Sequence, residues 1–394
     1  MKKMIDSIKY IKIRDIIAIF ILLIMIIPSL LFKLYTIIFN KKIWLIMDGE
    51  TTARDNGYHF FKYLRIHQLN VNAYYVIRKN CNDYKKVEPY GNIIQFGSLK
   101  HWLYYLAAYR NISSQKSSNP NCALFYFIHV VLGLYRNRVF LQHGITKDDS
   151  PWLYYKNTKF KYFICGAKKE YEYIKEKFGY PEGNVIYTGF SRFDNLYNNN
   201  VKDNQILIMP TWRNWLGRET NSLGEKFVFE DTEYYKEWNG LLNNKKFVDY
   251  IEKNNIKVLF YPHMAMQKFL NSFNVKSNNI EIVSMNTDIQ TTLKESSILI
   301  TDYSSVYMDF AYMMKPVIYF QFDYDEYREK QLQQGYFDYQ RDSFGPVVND
   351  HDSLLKSLMQ IKKDGLSEKY NNRMNDFFEL RDDNNCERIF NSIR

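Results

Sequence analysis

Two histidines follow short apolar runs, and histidine is the side chain whose ordinary proton affinity lies closest to neutral pH. His143 ends residues 141–143 before a glycine, and His263 ends residues 260–263. A histidine so placed can take the proton of an attacking hydroxyl, or donate a hydrogen bond to a leaving phosphate. We therefore predict His143 as a catalytic base and His263 as the partner of a leaving group. Each histidine taken alone is also compatible with a structural role.

Hydroxyl and cationic side chains after two other apolar runs are suited to binding phosphate. Residues 299–305 pass from a strand-like into a helical pattern, so Ser304 and Ser305 would stand where free N–H groups and the helix dipole attract anions. Arg213 offers a fork for phosphate, although a helix cap and a surface ion pair are the alternatives. The predicted donor-phosphate site comprises Arg213, Thr301, Asp302, Ser304 and Ser305.

Two pairs of acidic residues give weaker evidence of a functional role than the residues above. Asp323 and Asp325 have the DxD spacing of a metal–nucleotide element, but a solvated turn has the same pattern. Asp148 and Asp149 closely follow His143, where they would orient it, bind an acceptor or simply form a turn. The four cysteines lie far apart without a CxxC pair, which indicates neither a disulfide framework nor a cysteine metal site. We predict no metal site and no cofactor.

These candidate residues require a scaffold that gathers strand ends. After Lys42, short β-rich runs alternate with helical stretches, which predicts an α/β fold with parallel sheets, and such sheets bind ligands beyond the carboxyl ends of their strands. A polar stretch, residues 198–204, predicts a boundary between a domain at 43–200 and one at 201–394. The predicted strands are residues 44–47, 73–77, 93–96, 138–142, 162–165 and 185–187, then 206–209, 258–261, 280–283, 298–300 and 317–320. Terminal helices are predicted at 352–363 and 368–380.

Residues 1–42 carry a membrane signal. Residues 16–32 are apolar and uncharged over nearly the length of a bilayer span, with basic residues on both sides. Pro28 and Ser29 in the middle favour two short helices, residues 16–27 and 29–39, dipping into one leaflet. A buried core hairpin and a true span are the alternatives. We expect a membrane-associated segment, peripheral or monotopic, at the cytoplasmic face.

The composition limits the partners. Lys and Arg number 53 against 43 for Asp and Glu, and the net charge of +10 favours anionic partners such as phosphate donors and phospholipid head groups. The chain has no zinc-finger spacing and no long basic run, so we expect no nucleic acid partner. Hydrophobic residues at 46% and aromatic residues at 17% supply ample material for two cores.

Five motifs follow one another along residues 44–348. They are Gln142-His143-Gly144, then Thr188-Gly189-Phe190-Ser191-Arg192-Phe193-Asp194, then Pro210-Thr211-Trp212-Arg213, then Thr301-Asp302-Tyr303-Ser304-Ser305, and last Gly335-Tyr336-Phe337-Asp338 with Gly345-Pro346-Val347-Val348. In this order they resemble the CDP-glycerol glycerophosphotransferases of teichoic acid synthesis. The resemblance implies a GT-B architecture, two Rossmann-like domains facing across a cleft, with a CDP-polyol donor held mainly by the second. It also implies phosphoryl transfer with CMP as the leaving group.

The resemblance assigns roles to single residues. It implies that His143 is the base, that His263 lies near the donor phosphates, and that Ser304 and Ser305 bind those phosphates. It also implies that Asp302 shapes the serine loop.

The resemblance implies transfer of a polyol phosphate, in the first place glycerol phosphate, to a membrane-linked teichoic-acid-like or capsular polymer. The family usually has a basic residue two positions before the second histidine and a proline after it. This chain has Tyr261 and Met264 there, so a different donor, such as CDP-ribitol or another CDP-polyol, is an alternative to CDP-glycerol. Alternatives are a GT-B glycosyltransferase that uses a nucleotide sugar, and a catalytically idle membrane scaffold.

Overall fold

The computed structural model describes residues 12–135, 137–197, 200–216, 227–284 and 287–394, which form two compact α/β units. Each unit contains one sheet, and all strand pairings between described residues are parallel. The predicted fold class, two α/β domains with parallel sheets, is confirmed. Unit 1 comprises Met1–Ile145, Pro151–Asn195 and Asp382–Arg394, and unit 2 comprises Thr146–Ser150 and Leu196–Arg381.

Unit 1 has a seven-stranded sheet in the order β3-β2-β1-β4-β5-β6-β7. All five residues of β1, an interior strand of this sheet, are buried, because helices on both faces of a parallel sheet leave no solvent side. The strands are β1 Ile43–Met47, β2 Asn72–Ile77, β3 Ile93–Gln95, β4 Arg110–Ser113, β5 Arg138–Phe140, β6 Tyr162–Cys165 and β7 Val185–Tyr187.

Of the helices in the described residues, the first eight begin within unit 1 and lie before, between or just after its strands. They are α1 Ile13–Ile38, α2 Asn56–His67, α3 Tyr84–Val87, α4 Leu99–Ala107, α5 Cys122–Tyr126, α6 Tyr155–Thr158, α7 Lys168–Lys177 and α8 Phe193–Tyr197. A π-helical turn, Phe127–Val131, continues α5, and short 3-10 turns occur at Glu88–Tyr90 and Pro151–Leu153.

Unit 2 has a six-stranded sheet in the order β10-β9-β8-β11-β12-β13, covered by aromatic and aliphatic side chains around Trp238. Its strands are β8 Lys202–Met209, β9 Lys257–Phe260, β10 Ile280–Ile282, β11 Ser296–Thr301, β12 Val317–Phe320 and β13 Val347–Val348. The next helices are α9 Glu233–Leu242, α10 Lys245–Lys253, α11 Ile289–Glu295, α12 Val306–Tyr312, α13 Tyr324–Lys330, α14 Tyr339–Asp342, α15 His351–Asp364 and α16 Glu368–Phe377, with 3-10 turns at Phe229–Asp231 and Met264–Ser272.

The strand order fixes where each sheet opens toward a ligand. In unit 1 the chain runs outward from β1 through β2 to β3 and then returns to β4 on the other side of β1. In unit 2 it does the same around β8, with β9 on one side and β11 on the other. The crevice beyond the carboxyl ends of such divergent strands is the usual binding place in α/β sheets.

The structure adds elements that the sequence did not predict. Strand β4 is short and three of its four residues are polar, and the amide of its buried Asn111 donates to the carbonyl oxygen of Tyr105 at 3.0 Å. Strand β13 has only two residues, and a last helix, α17 Asn385–Ile393, belongs to unit 1. The units thus differ from the sequence division at residue 200 in three segments, 146–150, 196–200 and 382–394. Residues 198 and 199 of the predicted boundary lie outside the described residues.

The prediction of two N-terminal helices broken at Pro28 is wrong, because α1 runs unbroken from Ile13 to Ile38 with Pro28 inside it. Proline removes one backbone donor, and the hydroxyl of Ser29 adds hydrogen bonds to the carbonyl oxygens of Met25 and Ile26 on the preceding turn. A buried core hairpin is also excluded, since only 17% of the most apolar stretch of α1 is buried. By length and composition this helix is able to cross a membrane.

Candidate functional site

His143 lies just beyond the carboxyl end of β5 and points outward, with 68% of its side chain exposed. The preceding Gln142 adopts a left-handed backbone conformation, with φ of 61°. Its buried side-chain amide donates to the carbonyl oxygen of Ile164 at 2.6 Å and to Glu170 Oε1 at 3.0 Å. These bonds hold a conformation that non-glycine residues rarely adopt, and the turn places His143 at the edge of the sheet.

Asp55 and Arg192 complete a cluster with His143. The Nδ1 atom of His143 lies 3.2 Å from Asp55 Oδ2, and Arg192 donates to Asp55 Oδ1 at 3.1 Å and to the carbonyl oxygen of His143 at 3.1 Å. Burial by itself would raise the pKa of Asp55, but the His143 hydrogen bond and the Arg192 charge outweigh it and hold that pKa below its usual range. Asp55 is therefore an anion that orients the imidazole.

The contact with Asp55 determines which imidazole nitrogen is able to take up a proton. An Nδ1–H that donates to the carboxylate leaves the lone pair of neutral His143 on Nε2. A carboxylate in this position also stabilises the imidazolium once Nε2 is protonated. The pair therefore has the arrangement of a general base and its orienting group.

Asp48 at the carboxyl end of β1 holds the loop that carries Asp55. Its carboxylate accepts hydrogen bonds from the backbone N–H groups of Arg54, Asp55, Gly57 and Tyr58 at 2.8–3.2 Å. Two hydroxyls from neighbouring strands also donate to it. The hydroxyl of Ser114, just after β4, lies at 2.7 Å, and that of Tyr75, in β2, lies at 3.1 Å. Burial, together with the charge of Asp55, raises the pKa of Asp48 to about 6.

The motif at residues 188–194 builds the support beneath this cluster. The hydroxyl of Ser191 donates to the carbonyl oxygen of Asn56 at 2.6 Å, and Asp194 accepts from the backbone N–H groups of Asn385 and Cys386 at 2.8 and 2.9 Å. Gly189 has φ of 79°, and a Cβ there would lie 1.7 Å from Asn385 Oδ1. The motif therefore fastens α17 and the start of α2 to the His143 turn.

Arg213 in unit 2 is fully buried between two carboxylates. Its Nε and Nη2 atoms donate to Asp323 at 2.7 and 3.0 Å, and its Nη1 lies 3.0 Å from Asp302 Oδ2 and donates to the carbonyl oxygen of Thr211 at 2.8 Å. Burial alone would lower the pKa of this guanidinium, but Asp302 and Asp323 raise it above its ordinary value. In this structure Arg213 holds the loops after β8, β11 and β12 together and is not exposed to a ligand.

The residues at the end of β11 and just after it divide into buried and accessible ones. Thr301 is buried and its hydroxyl donates to the carbonyl oxygen of Met209 at 2.6 Å, and Asp302 accepts from the backbone N–H of Thr211 at 2.8 Å. Ser304 and Ser305 are only half-buried and stand at the beginning of α12. The structure thus leaves the two serines as the accessible members of the predicted phosphate group.

His263 follows β9 and caps the 3-10 turn Met264–Ser272. Its Nδ1 accepts a hydrogen bond from the backbone N–H of Ala265 at 3.1 Å, so in the neutral ring the proton is on Nε2. The imidazole ring of His263 is stacked with the side-chain ring of Trp212, and the ring centroids are 6.1 Å apart. His263 is therefore oriented as a hydrogen-bond donor, and it lies in unit 2 whereas His143 lies in unit 1.

The segment 146–150 belongs to unit 2 through a buried ion cluster. Asp148 pairs with Lys147, and Arg328 donates to Asp148 Oδ1 at 2.6 Å. Gly335 is required beside this segment, because a Cβ there would lie 2.3 Å from the carbonyl oxygen of Lys147. Asp148 is thus a buried structural carboxylate, while Asp323 of the DxD pair is bound to Arg213 and its companion Asp325 is exposed.

Asp55 is the principal functional candidate that the sequence reasoning missed. It stands eight residues after β1 and 88 residues before His143, and nothing in one sequence links the two. A signal was available, since the residues after β1 lie at the same edge of the sheet as those after β5. Arg192 was part of a quoted motif, but its contact with Asp55 was not foreseen.

Comparison with known proteins gives a consistent result. A family model described as CDP-Glycerol:Poly(glycerophosphate) glycerophosphotransferase matches residues 30–394. The minor teichoic acid biosynthesis protein GgaB of Bacillus subtilis is 34% identical over 372 residues, which cover 91% of this chain and 40% of that protein. The teichoic acid ribitol-phosphate polymerase TarL of Staphylococcus aureus is 25% identical over 58% of this chain and 40% of its own length. The chain thus spans about two fifths of the length of these two relatives.

The solved structures agree in fold. The wall teichoic acid polymerase TagF superposes with a TM-score of 0.65 at 17% identity, covering 93% of this chain and 96% of that chain. A protein of Listeria monocytogenes described as a UDP-N-acetylglucosamine 2-epimerase gives a TM-score of 0.57 at 12% identity, and the match covers 89% of this chain and 96% of that chain. At these identities the likeness shows the fold alone, and it is the GT-B class that the sequence predicted.

The buried Arg213 cluster yields a stability prediction. Arg213→Met leaves Asp302 and Asp323 buried without their counter-charge, and we expect the free energy of unfolding to fall by about 3–5 kcal/mol. Arg78→Met is the matched control, because Arg78 also pairs with a carboxylate, Glu50, but 43% and 50% of the two side chains are exposed. It should cost about 1 kcal/mol or less in denaturant unfolding. Equal losses for the two variants would contradict the structural role of Arg213.

Proposed function

The chain belongs to the CDP-glycerol:poly(glycerophosphate) glycerophosphotransferase family, and on this premise we propose that it transfers a polyol phosphate from a CDP-activated donor. The acceptor is a hydroxyl of a membrane-linked teichoic-acid-like or capsular polymer, and CMP is released. Glycerol phosphate is the first donor group to test, and ribitol phosphate is the second. The reaction takes place at the cytoplasmic face of the cell membrane, where a cytosolic nucleotide donor and a lipid-linked acceptor meet.

The observation that carries this proposal is the contact between His143 and Asp55. A polyol hydroxyl is a poor nucleophile until its proton is removed, and the Nε2 of His143 is the atom that the Asp55 contact leaves able to accept it. Arg192 binds both the carboxylate and the backbone of His143, so the ring is held from two directions. Because the imidazole ring is already held in place, it loses little conformational entropy when the acceptor binds.

The reaction follows from these groups with atoms and charge in balance. The acceptor oxygen bonds to the polyol-bound phosphorus of the donor while its proton passes to Nε2 of His143. The bond from that phosphorus to the bridging oxygen breaks, and CMP leaves with the bonding electron pair. Hydrogen bonds to the phosphate oxygens lower the barrier most, because charge moves onto the leaving group during the step.

Unit 2 supplies the donor side of the proposal. Ser304 and Ser305 follow β11 at the point where the strand order of that sheet diverges, and they remain accessible. His263, oriented with its proton on Nε2, would donate to the phosphate of the departing CMP. Arg213, Thr301 and Asp302 act indirectly, by fixing the loops on which these donors stand.

The donor is identified by the nucleotide that is released. Protein comprising residues 1–394 is incubated with a detergent-solubilised glycolipid acceptor and, separately, with CDP-glycerol, CDP-ribitol or UDP-sugars, and the CMP and UDP released are quantified. We expect CMP release that requires the acceptor and one of the two CDP-polyols. Release of UDP alone would reject the proposal in favour of a glycosyltransferase, and no turnover with any donor would favour a scaffold.

Removing the base should stop the chemistry without removing the donor. For His143→Ala we expect a fall in kcat of at least about 10²-fold, with CDP affinity nearly unchanged, since the donor groups lie in the other unit. His67→Ala, an exposed histidine at the end of α2, is the control and should keep the wild-type rate. A His143→Ala enzyme with near wild-type turnover would exclude His143 from the mechanism.

The orienting carboxylate has its own kinetic signature. Asp55→Asn removes the charge that stabilises the imidazolium, so we expect kcat to fall by about 10²–10⁴-fold. The acid limb of the pH–rate profile should also move to lower pH, because a base without its anion protonates less readily. A variant that loses rate with an unshifted acid limb would show that Asp55 is only structural.

A further inference from the structure

One buried side chain joins the three segments that build the cluster around His143. Asn56 is the first residue of α2 and is completely buried. Its Nδ2 atom donates to the carbonyl oxygens of Leu141 at 3.2 Å and Gln142 at 2.8 Å, and its Oδ1 atom accepts from the backbone N–H of Arg192 at 3.1 Å. These partners fix the orientation of the amide, because a carbonyl oxygen only accepts hydrogen bonds and a backbone N–H only donates them.

The two bonds to carbonyl oxygens hold the peptide groups on both sides of Gln142. This residue has φ of 61°, a left-handed conformation that costs energy for most residues other than glycine. Without the donor of Asn56, residue 142 would be able to return to a right-handed or extended conformation. The side chain of the next residue, His143, would then point in another direction, and its contact with Asp55 would be lost.

The other side of Asn56 holds the segment that follows β7. Besides the bond from the backbone N–H of Arg192, the hydroxyl of Ser191 donates to the carbonyl oxygen of Asn56 at 2.6 Å. The guanidinium of Arg192 reaches from there to Asp55 Oδ1 and to the carbonyl oxygen of His143, at 3.1 Å in both contacts. Asn56 therefore sets both the turn that carries the imidazole and the backbone from which the guanidinium extends.

An amide is the group that this position requires. An aspartate at residue 56 would place an acceptor against two carbonyl oxygens and add a negative charge beside Asp55 and Asp48. The start of α2 has no room to shift, since a Cβ at Gly57 would overlap Asp48 Oδ1. The backbone N–H of Gly57 also donates to that oxygen at 2.8 Å. The amide of Asn56 is thus fixed in place, and it holds the turn from there.

We propose that Asn56 is a positioning residue for the transfer reaction, which holds the turn of His143 and the backbone of Arg192 in place against Asp55. Asn56 acts through its hydrogen bonds to residues 141, 142 and 192 and not by contact with a substrate. These partners stand 85, 86 and 136 residues further along the chain, so no local element of the sequence could hold them together. The kinetic consequence rests on the proposed function, whereas the consequence for the imidazole ring does not.

The kinetic test exchanges the amide for the isosteric carboxylate. Asn56→Asp removes the donor to residues 141 and 142, and we expect kcat to fall by about 10²-fold because the base is displaced. The KM for the CDP-polyol should stay within about twofold, since the donor groups lie in unit 2. The acid limb of the pH–rate profile should move to lower pH, as for Asp55→Asn, because the displaced imidazole loses its anion. An unchanged kcat, or a lower kcat with an unshifted acid limb, would overturn the proposal.

The matched control is Asn111→Asp. Asn111 is also a buried asparagine of unit 1, and its Nδ2 atom donates to the carbonyl oxygen of Tyr105 at 3.0 Å. This substitution removes a similar bond, but kcat and the acid limb should stay as in the wild type, and the same shift here would overturn the proposal. Asn56→Ser, which adds no charge to the core, is measured in parallel in case Asn56→Asp does not fold. It should show the same fall in kcat and the same shift.

Nitrogen NMR of the imidazole ring tests the positioning without any turnover. Protein containing isotope-labelled histidine is compared with His143→Ala, which identifies the signals of His143. We expect the neutral ring of the wild type to carry its proton on Nδ1, and that of Asn56→Asp and Asn56→Ser to be a mixture of the two tautomers. An unchanged tautomer in both variants would overturn the proposal at any level of activity. A changed tautomer, with no turnover of CDP-polyols by the wild type, would reject the proposed function and leave the positioning role intact.

Discussion

A buried carboxylate at the divergence point of each sheet holds the loops that carry the candidate chemistry. In unit 1 Asp48 accepts backbone hydrogen bonds from residues 54–58 and thereby fixes the position of Asp55 beneath His143. In unit 2 Asp302 binds the loop after β8 and pairs with Arg213, which in turn binds the loop after β12. A buried charge is stable only when it is paired or hydrogen-bonded, so each carboxylate requires its loops to keep one arrangement.

The two carboxylates also make the units chemically different. In many α/β nucleotide sites the backbone N–H groups at the start of a helix donate hydrogen bonds to a phosphate. The N–H groups at the start of α2 donate to the carboxylate of Asp48 instead. In unit 2, Ser304 and Ser305 at the start of α12 are half-buried, so their hydroxyls are accessible to a phosphate. This contrast supports the assignment of the acceptor base to unit 1 and of the donor phosphates to unit 2.

The sequence predicted most of the scaffold, because buried parallel strands appear as apolar runs, and His143 lies where a strand end was expected. It did not predict β4, whose polar residues are buried by hydrogen bonding, nor the continuity of α1 through Pro28, where Ser29 adds bonds to the preceding turn. The contact between Asp55 and His143 and the burial of Arg213 join residues about 90 and 110 positions from their partners. Such pairings follow from three-dimensional packing, which residue types and local spacing do not encode.

The central claim, that the donor binds in unit 2 while unit 1 supplies the base, is tested most directly by a crystal structure of the His143→Ala protein with CDP-glycerol. Slow turnover in this variant would preserve the intact donor. We expect the diphosphate to lie against the hydroxyls of Ser304 and Ser305 beyond the end of β11. A diphosphate bound at the start of α2, with Asp48 displaced from the backbone N–H groups of residues 54–58, would contradict the account.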